Sequence, residues 1–175
     1  MPLSDDIRTF HRTLLRFALV MLAVGLLSGI SFQESTKKLP TALEAGLHLA
    51  TRLDLALVHG HAFVLGVLLP LALSWMTYLG GVLGAPALSG RTLRWTRWLV
   101  LPGIAVSVLL MLLKGYHLVL GVRAGSMDPQ ALHAAFLGGK GLLRILVYAI
   151  PHTAMGVGIG LFTVAFWRSL NQRSA

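Results

Sequence analysis

The sequence predicts an all-α integral membrane protein, a four-helix bundle crossing the bilayer, and three observations predict it. Hydrophobic residues make up 55% of the 175 and charged residues only 12%, against about 25% charged in an ordinary soluble domain. Mean hydropathy is +0.75. Four apolar runs are separated by short basic clusters, and each is long enough for the ~17–20 residues that carry a helix across a ~30 Å hydrocarbon core.

The spans run from about Leu14 to Phe32, Asp54 to Leu79, Trp98 to Gly121 and Leu142 to Trp167. Each should be helical, because backbone groups in hydrocarbon must satisfy one another. The first run carries no small-residue cleavage motif after its apolar stretch, so it is expected to be a retained helix. Orientation follows from Lys and Arg in the loops. Arg8, Arg12, Arg16, Arg91, Arg94, Arg97, Arg168 and Arg173 fall on one side, and Lys37, Lys38, Arg52, Arg123, Lys140 and Arg144 on the other. The richer side is expected to be cytoplasmic, in a bacterial inner membrane, with both termini there. In the first outer loop, Pro40 to Leu53 reads as a short amphipathic helix lying on the surface, opened by Pro40-Thr41. Gly84 to Gly90, with Pro86, reads as a turn. Trp95 and Trp98 fit an interfacial aromatic belt.

Composition excludes several functions. The net charge of +9 lies between apolar spans, where it sets topology and does not mark a nucleic-acid surface. There are no cysteines, which removes disulfides, thiolate metal sites and iron–sulfur clusters. The six acidic residues lie in loops or at span ends, so paired-carboxylate hydrolysis is not supported.

Ionisable groups inside spans are expensive and mark function by default. Here they are His59, His61, Lys114, His117 and His152. At 1.5 Å rise per residue, His59 and His61 lie roughly 8 and 11 Å below the outer surface. His117 and Lys114 lie roughly 6 and 11 Å down, and His152 roughly 15 Å. All five fall in the outer half of the bilayer. His59 and His61 are about 200° apart on a regular helix, so they cannot share one small metal ion. Gly60, Ala62, Gly66, Ala154, Gly156, Gly158 and Gly160 allow close helix approach or leave room for a flat cofactor.

Haem b fits this pattern. Its iron takes imidazole nitrogen from facing helices, and its propionates need cations at the membrane edge. The depths favour His61 with His152 as axial pair, and His59 with His117 as a second. Arg52, Arg123, Lys140, Arg144 and Lys114 are the cations for the propionates. The competing readings are a copper or zinc site built from the same histidines, a proton relay, and a structural accessory subunit whose histidines only join helices. His11, His48 and His133 read as interfacial residues, the methionines as packing, and Tyr116 and Tyr148 as belt residues. Electron transfer or binding of a diatomic gas such as nitric oxide or oxygen would follow from haem, with a quinone or protein as redox partner. Chains of this size often self-associate, so a homo-oligomer is expected.

His59-Gly60-His61-Ala62-Phe63-Val64-Leu65-Gly66-Val67 also aligns with Lys114-Gly115-Tyr116-His117-Leu118-Val119-Leu120-Gly121-Val122, five of nine positions being identical. The two segments cross in opposite directions, so the match reads as coincidence. Two resemblances carry more. Leu57 through Gly66 resembles a helix of haem-copper oxidase and nitric oxide reductase catalytic subunits, in which a His-x-His pair ligates two different haems. That resemblance implies two histidines dividing between two sites. The whole chain is similar to a bacterial family of small four-helix membrane proteins catalogued as a domain of unknown function. The matching pieces are Gly25-Leu26-Leu27-Ser28-Gly29, Glu34 to Lys37, His59 to Gly66, Leu118 to Gly121, His152 to Gly160 and Phe166-Trp167-Arg168. This resemblance implies the fold and the histidine positions. The chain has Lys114 before Gly115 where the family has a histidine, so His59, His61 and His152 are the ligands it carries over.

Overall fold

The computed structural model describes residues 4–37, 39 and 45–172, without the side chains of 45–51 and 129. Helix α1 covers Asp5–Lys37 and α2 covers Ala45–Phe63. A π-helical turn at Val64–Leu68 joins α2 directly to α3 at Leu69–Val82. Then follow α4 (Gly90–Arg123), the short α5 (Pro129–Ala135) and α6 (Gly141–Asn171). Four stretches are long and apolar enough to cross a membrane: Asp5–Lys37, Arg52–Val82, Gly90–Arg123 and Gly141–Asn171. The protein is an all-α four-helix membrane bundle. The helices outrun the apolar segments because a helix of 31 to 34 residues is about 50 Å long, well beyond the hydrocarbon.

Local chemistry sets the ends. Ser89 caps α4, its hydroxyl accepting the Thr92 N–H at 3.2 Å. Asp128 caps α5 by accepting the N–H groups of Gln130 and Ala131, with Pro129 at the first helical position. Both termini and the α3–α4 turn share one end of the bundle. There Gly90 lies against the Asp6 carboxylate, and Ser169 donates to the Pro86 carbonyl. The opposite end holds α5 and the end of α1.

Helix α4 organises the bundle. Its Val100, Ile104 and Val108 are buried with Phe10, Leu14 and Met21 of α1, Val58 and Ala62 of α2, Leu73 of α3 and Phe162 of α6. Close approach is built on two glycines of α4. A Cβ at Gly115 would lie 2.6 Å from the Leu55 side chain, and one at Gly103 would lie 2.8 Å from the Pro151 carbonyl. Both distances are below any tolerable carbon contact, so α2 and α6 each seat directly on the backbone of α4. Helix α6 also touches α3, towards the end that carries the termini. Among the described residues, α2 and α6 share no seam with each other.

The first outer loop departs from expectation. Of the amphipathic surface helix expected over Pro40 to Leu53, Pro40 to Glu44 lie outside the described residues. From Ala45 the backbone is already one helix continuing through the second span. No proline follows until Pro70, and Leu55 is anchored on Gly115, so nothing breaks the helix at Leu53. The π turn is the second departure. Pro70 has no N–H to give the Gly66 carbonyl, and its ring crowds that carbonyl. The ladder widens locally, and the Leu69 N–H bonds to Val64, five residues back.

Gly103→Val and Gly115→Val should each destabilise the bundle by about 1–3 kcal/mol through overpacking. Gly156 has nothing within 4 Å of its Cβ position, so Gly156→Ala should leave stability unchanged or slightly raised. Thermal unfolding in detergent, followed by circular dichroism, separates the two classes.

Candidate functional site

Where α6 packs on α4 beneath α5, a groove of about 740 Å³ opens in the half of the bundle away from the termini. It is lined by Lys114, His133, Arg144, Ile145, Tyr148, Ala149 and His152. Ile145, Tyr148, Ala149 and His152 recur at three- and four-residue spacing, so they form one stripe of α6. Gly156, one turn beyond His152, continues that stripe into open space. Helix α5 lies over the mouth at the end away from the termini. It is pinned there by Arg144, whose guanidinium donates to the His133 carbonyl at 2.8 Å, and by His117, whose Nε2 donates to the Leu132 carbonyl at 3.0 Å.

The groove is polar at its mouth. Lys114 Nζ lies 3.2 Å from Asp54 Oδ2 across the α2–α4 seam. The contact is an ion pair without hydrogen-bond alignment, since Asp54 Oδ2 is buried and otherwise unpartnered. Arg144 adds a second cation. Burial, and then the positive charge of Lys114, lowers the pKa of His133 below its ordinary value of 6.5; Arg144 and His117 add to the effect and Asp54 opposes it. His133 is therefore neutral at pH 7. The Tyr148 hydroxyl is buried here with no partner.

The two histidines of α2 divide. Arg52 sits over the Phe32 ring of α1, 5.6 Å from its centroid, and Phe63 packs on Gly25 of α1. His59 lies seven residues after Arg52 and four before Phe63, which puts it on the stripe facing α1. Its Nδ1 is buried with no partner. His61 lies seven residues after Asp54, on the side of α2 that meets Lys114. Its Nδ1 is 2.9 Å from the Leu57 carbonyl, and His152 makes the matching bond to the Tyr148 carbonyl at 2.8 Å. A carbonyl can only accept, so Nδ1 carries the proton in both rings. In each neutral imidazole the free base is then Nε2.

Not every residue singled out in the sequence comes together. Around α4, Gly115 faces α2, Tyr116 hydrogen-bonds Ser31 of α1, and His117 points on to α5. His59 and His117 therefore stand on different sides of α4. Arg52 reaches Thr36 of α1 at 3.4 Å and does not line the groove. Arg123 and Lys140 are exposed and line no part of it. Lys114, Arg144 and His152 do, whereas His61 does not line it. Among the described residues, no three His, Asp or Glu converge as a metal cluster, which is what a copper or zinc site of the expected kind needs. Two polar groove residues were not singled out as site residues: His133 and Tyr148. The only sequence signal for them was position. Tyr148 stands one turn before His152; Asp54, expected to partner a ligand histidine, instead pairs with Lys114.

A family model described as a protein of unknown function (DUF2871) matches residues 11–169. The chain belongs to this family. The match takes in all four spans and every groove residue. No curated protein and no solved structure matches the chain.

The Asp54–Lys114 pair should behave as a unit. Asp54→Asn or Lys114→Met alone strands one charge, at a cost on the order of 1–3 kcal/mol, between the surface and the fully buried limits. The double variant should recover at least half of that loss. Equal, additive losses in thermal unfolding would show that the two groups do not interact.

Proposed function

We propose that this chain is a b-type haem protein of the bacterial cytoplasmic membrane. His152, on the wall of the groove, and His61, on the side of α2 that meets Lys114, would hold the haem iron. The observation that carries the reading is the matched state of these two rings. Each gives its Nδ1 proton to the carbonyl one turn earlier, and each is left with Nε2 as a free base. Metal-ligating histidines usually make that second hydrogen bond, which fixes the tautomer and the ring orientation. One ring stands on α6 as a wall of the groove; the other stands on the side of α2 that meets Lys114.

The surroundings suit the same ligand. The floor and walls are mostly apolar, as a porphyrin face requires. The Gly156 position leaves space beside His152. Lys114 and Arg144 offer cations to the propionates, and Asp54 holds Lys114 in place. Bound haem would supply a one-electron couple, and two imidazole ligands favour electron transfer over gas binding. The residues then have separate roles: His61 and His152 hold the iron, the Leu57 and Tyr148 carbonyls orient them, and α5 covers the mouth. His59 faces α1, as a His-x-His pair divided between two sides requires. In this reading both termini are cytoplasmic, and a quinone or a protein is the redox partner. The exposed apolar face of α6 offers a surface for a second copy. The copper or zinc alternative has no comparable support, because a third converging ligand is missing among the described residues.

His61→Ala and His152→Ala should each lower haem content at least tenfold and abolish the sharp reduced α and β bands. His117→Ala should keep those bands, since that ring is engaged with α5. Haem per protein and the reduced spectrum of each detergent-purified variant check this. Wild-type spectra from both His61→Ala and His152→Ala would overturn the ligand assignment.

A further inference from the structure

A second cavity, of about 530 Å³, opens between α1 and α3 at the end that carries both termini. Its walls are Arg8, Arg12 and Leu15 of α1 with Leu71, Trp75 and Tyr78 of α3, over a floor where His11 meets Ser74. The His11 Nδ1 and Ser74 Oγ lie 2.6 Å apart and tie the two helices. The helices are antiparallel, so polarity is graded along the cavity. Arg8 and Arg12 stand near the end of the bundle with Tyr78. Leu15 and Leu71 stand about two turns deeper, with Trp75 between.

Among the described residues, only one long, exposed ion pair answers the charge at this mouth. Arg8 reaches Asp5 only at 4.0 Å, in a pair that is half to fully exposed. Arg12 has no ion pair among the described residues. Arg8 and Arg12 are one turn apart and project to one side of α1, so two guanidinium groups converge above an apolar slot. Guanidinium groups in that arrangement match phosphate oxygens. Trp75 and Tyr78, with ring centroids 5.4 Å apart and both well exposed, make the interfacial aromatic wall at headgroup depth. A neutral headgroup would leave both cations unanswered, and a small soluble anion would leave the apolar slot unfilled.

We infer that this cavity is a binding site for one anionic phospholipid, its phosphate held by Arg8 and Arg12 and its acyl chain lying along Leu15, Leu71 and Trp75. The site is separate from the outer-half groove and does not depend on what that groove holds. Each arginine contributes about a fivefold preference for an anionic over a zwitterionic headgroup.

Trp75 reports occupancy directly. In a W95F/W98F/W167F protein Trp75 is the sole tryptophan. Reconstituted into phosphatidylcholine vesicles with increasing brominated phosphatidylglycerol, it should be quenched at a lower mole fraction than with brominated phosphatidylcholine. Adding R8Q/R12Q should bring the two curves together. If the triple variant does not fold, native mass spectrometry of the otherwise unchanged protein gives the same answer: about one anionic phospholipid retained per chain, lost in R8Q/R12Q. Equal quenching by the two lipids, or retention of the lipid in R8Q/R12Q, overturns the inference. So does quenching reversed by a short-chain quinone but not by unbrominated phosphatidylglycerol, which would make the ligand a quinone.

Discussion

The architecture depends on the close approach of α2 and α6 to one helix, α4, at two glycines. Gly115 takes Leu55 in the half away from the termini, and Gly103 takes the Pro151 carbonyl nearer the middle. Lipid offers no hydrophobic force to drive helices together, so such close backbone contact supplies the association. Beside that contact, the α4–α6 junction opens into a groove beneath α5. Lys114, His133, Arg144, Tyr148 and His152 line that opening. Lys114 is held at its rim by Asp54, and α5 is held over its mouth by Arg144 and His117.

Within that frame the histidines differ by what their second nitrogen meets. His117 spends its Nε2 on a loop carbonyl, and His11 pairs with Ser74. Both act as joints between elements, the ordinary use of histidine in a membrane bundle. His61 and His152 instead bond backward into their own helices, which joins nothing and leaves Nε2 free. That local bond satisfies one ring N–H within the helix and turns the other nitrogen outward. His152 lines the groove and His61 stands on the side of α2 that meets Lys114; the proposed cofactor would lie between them.

Much of this was legible in the sequence, for reasons that are also its limits. The four spans could be read because a bilayer demands long apolar helices. The opposite facing of His59 and His61 followed from a spacing of two residues on a helix. The pairing of Asp54 with Lys114 could not be read, because it depends on the rotation of α2 against α4, which Leu55 and Gly115 set. His133 looked incidental because its segment gave no sign of folding back as α5 over the groove. Arg52 looked like an edge cation, but its side of the helix turns it to Phe32 of α1. The π turn had its signal in Pro70, which sits inside an apolar run that otherwise reads as uninterrupted helix.

The central claim is that His61 and His152 face each other across a gap wide enough for a flat cofactor. The chain has no native cysteine, so paired cysteines test this cleanly. A disulfide forms only when the two Cα atoms are within about 7 Å. Under mild oxidation of the protein in membranes, Leu55→Cys with Gly115→Cys should form a disulfide across the packed α2–α4 seam. His61→Cys with His152→Cys should not, but should be bridged by a longer bis-maleimide. A direct disulfide in the second pair, as fast as in the first, would mean that the walls touch and leave no room for a porphyrin. Failure of the bis-maleimide to join them would mean that they do not face one groove. Either result would contradict the account.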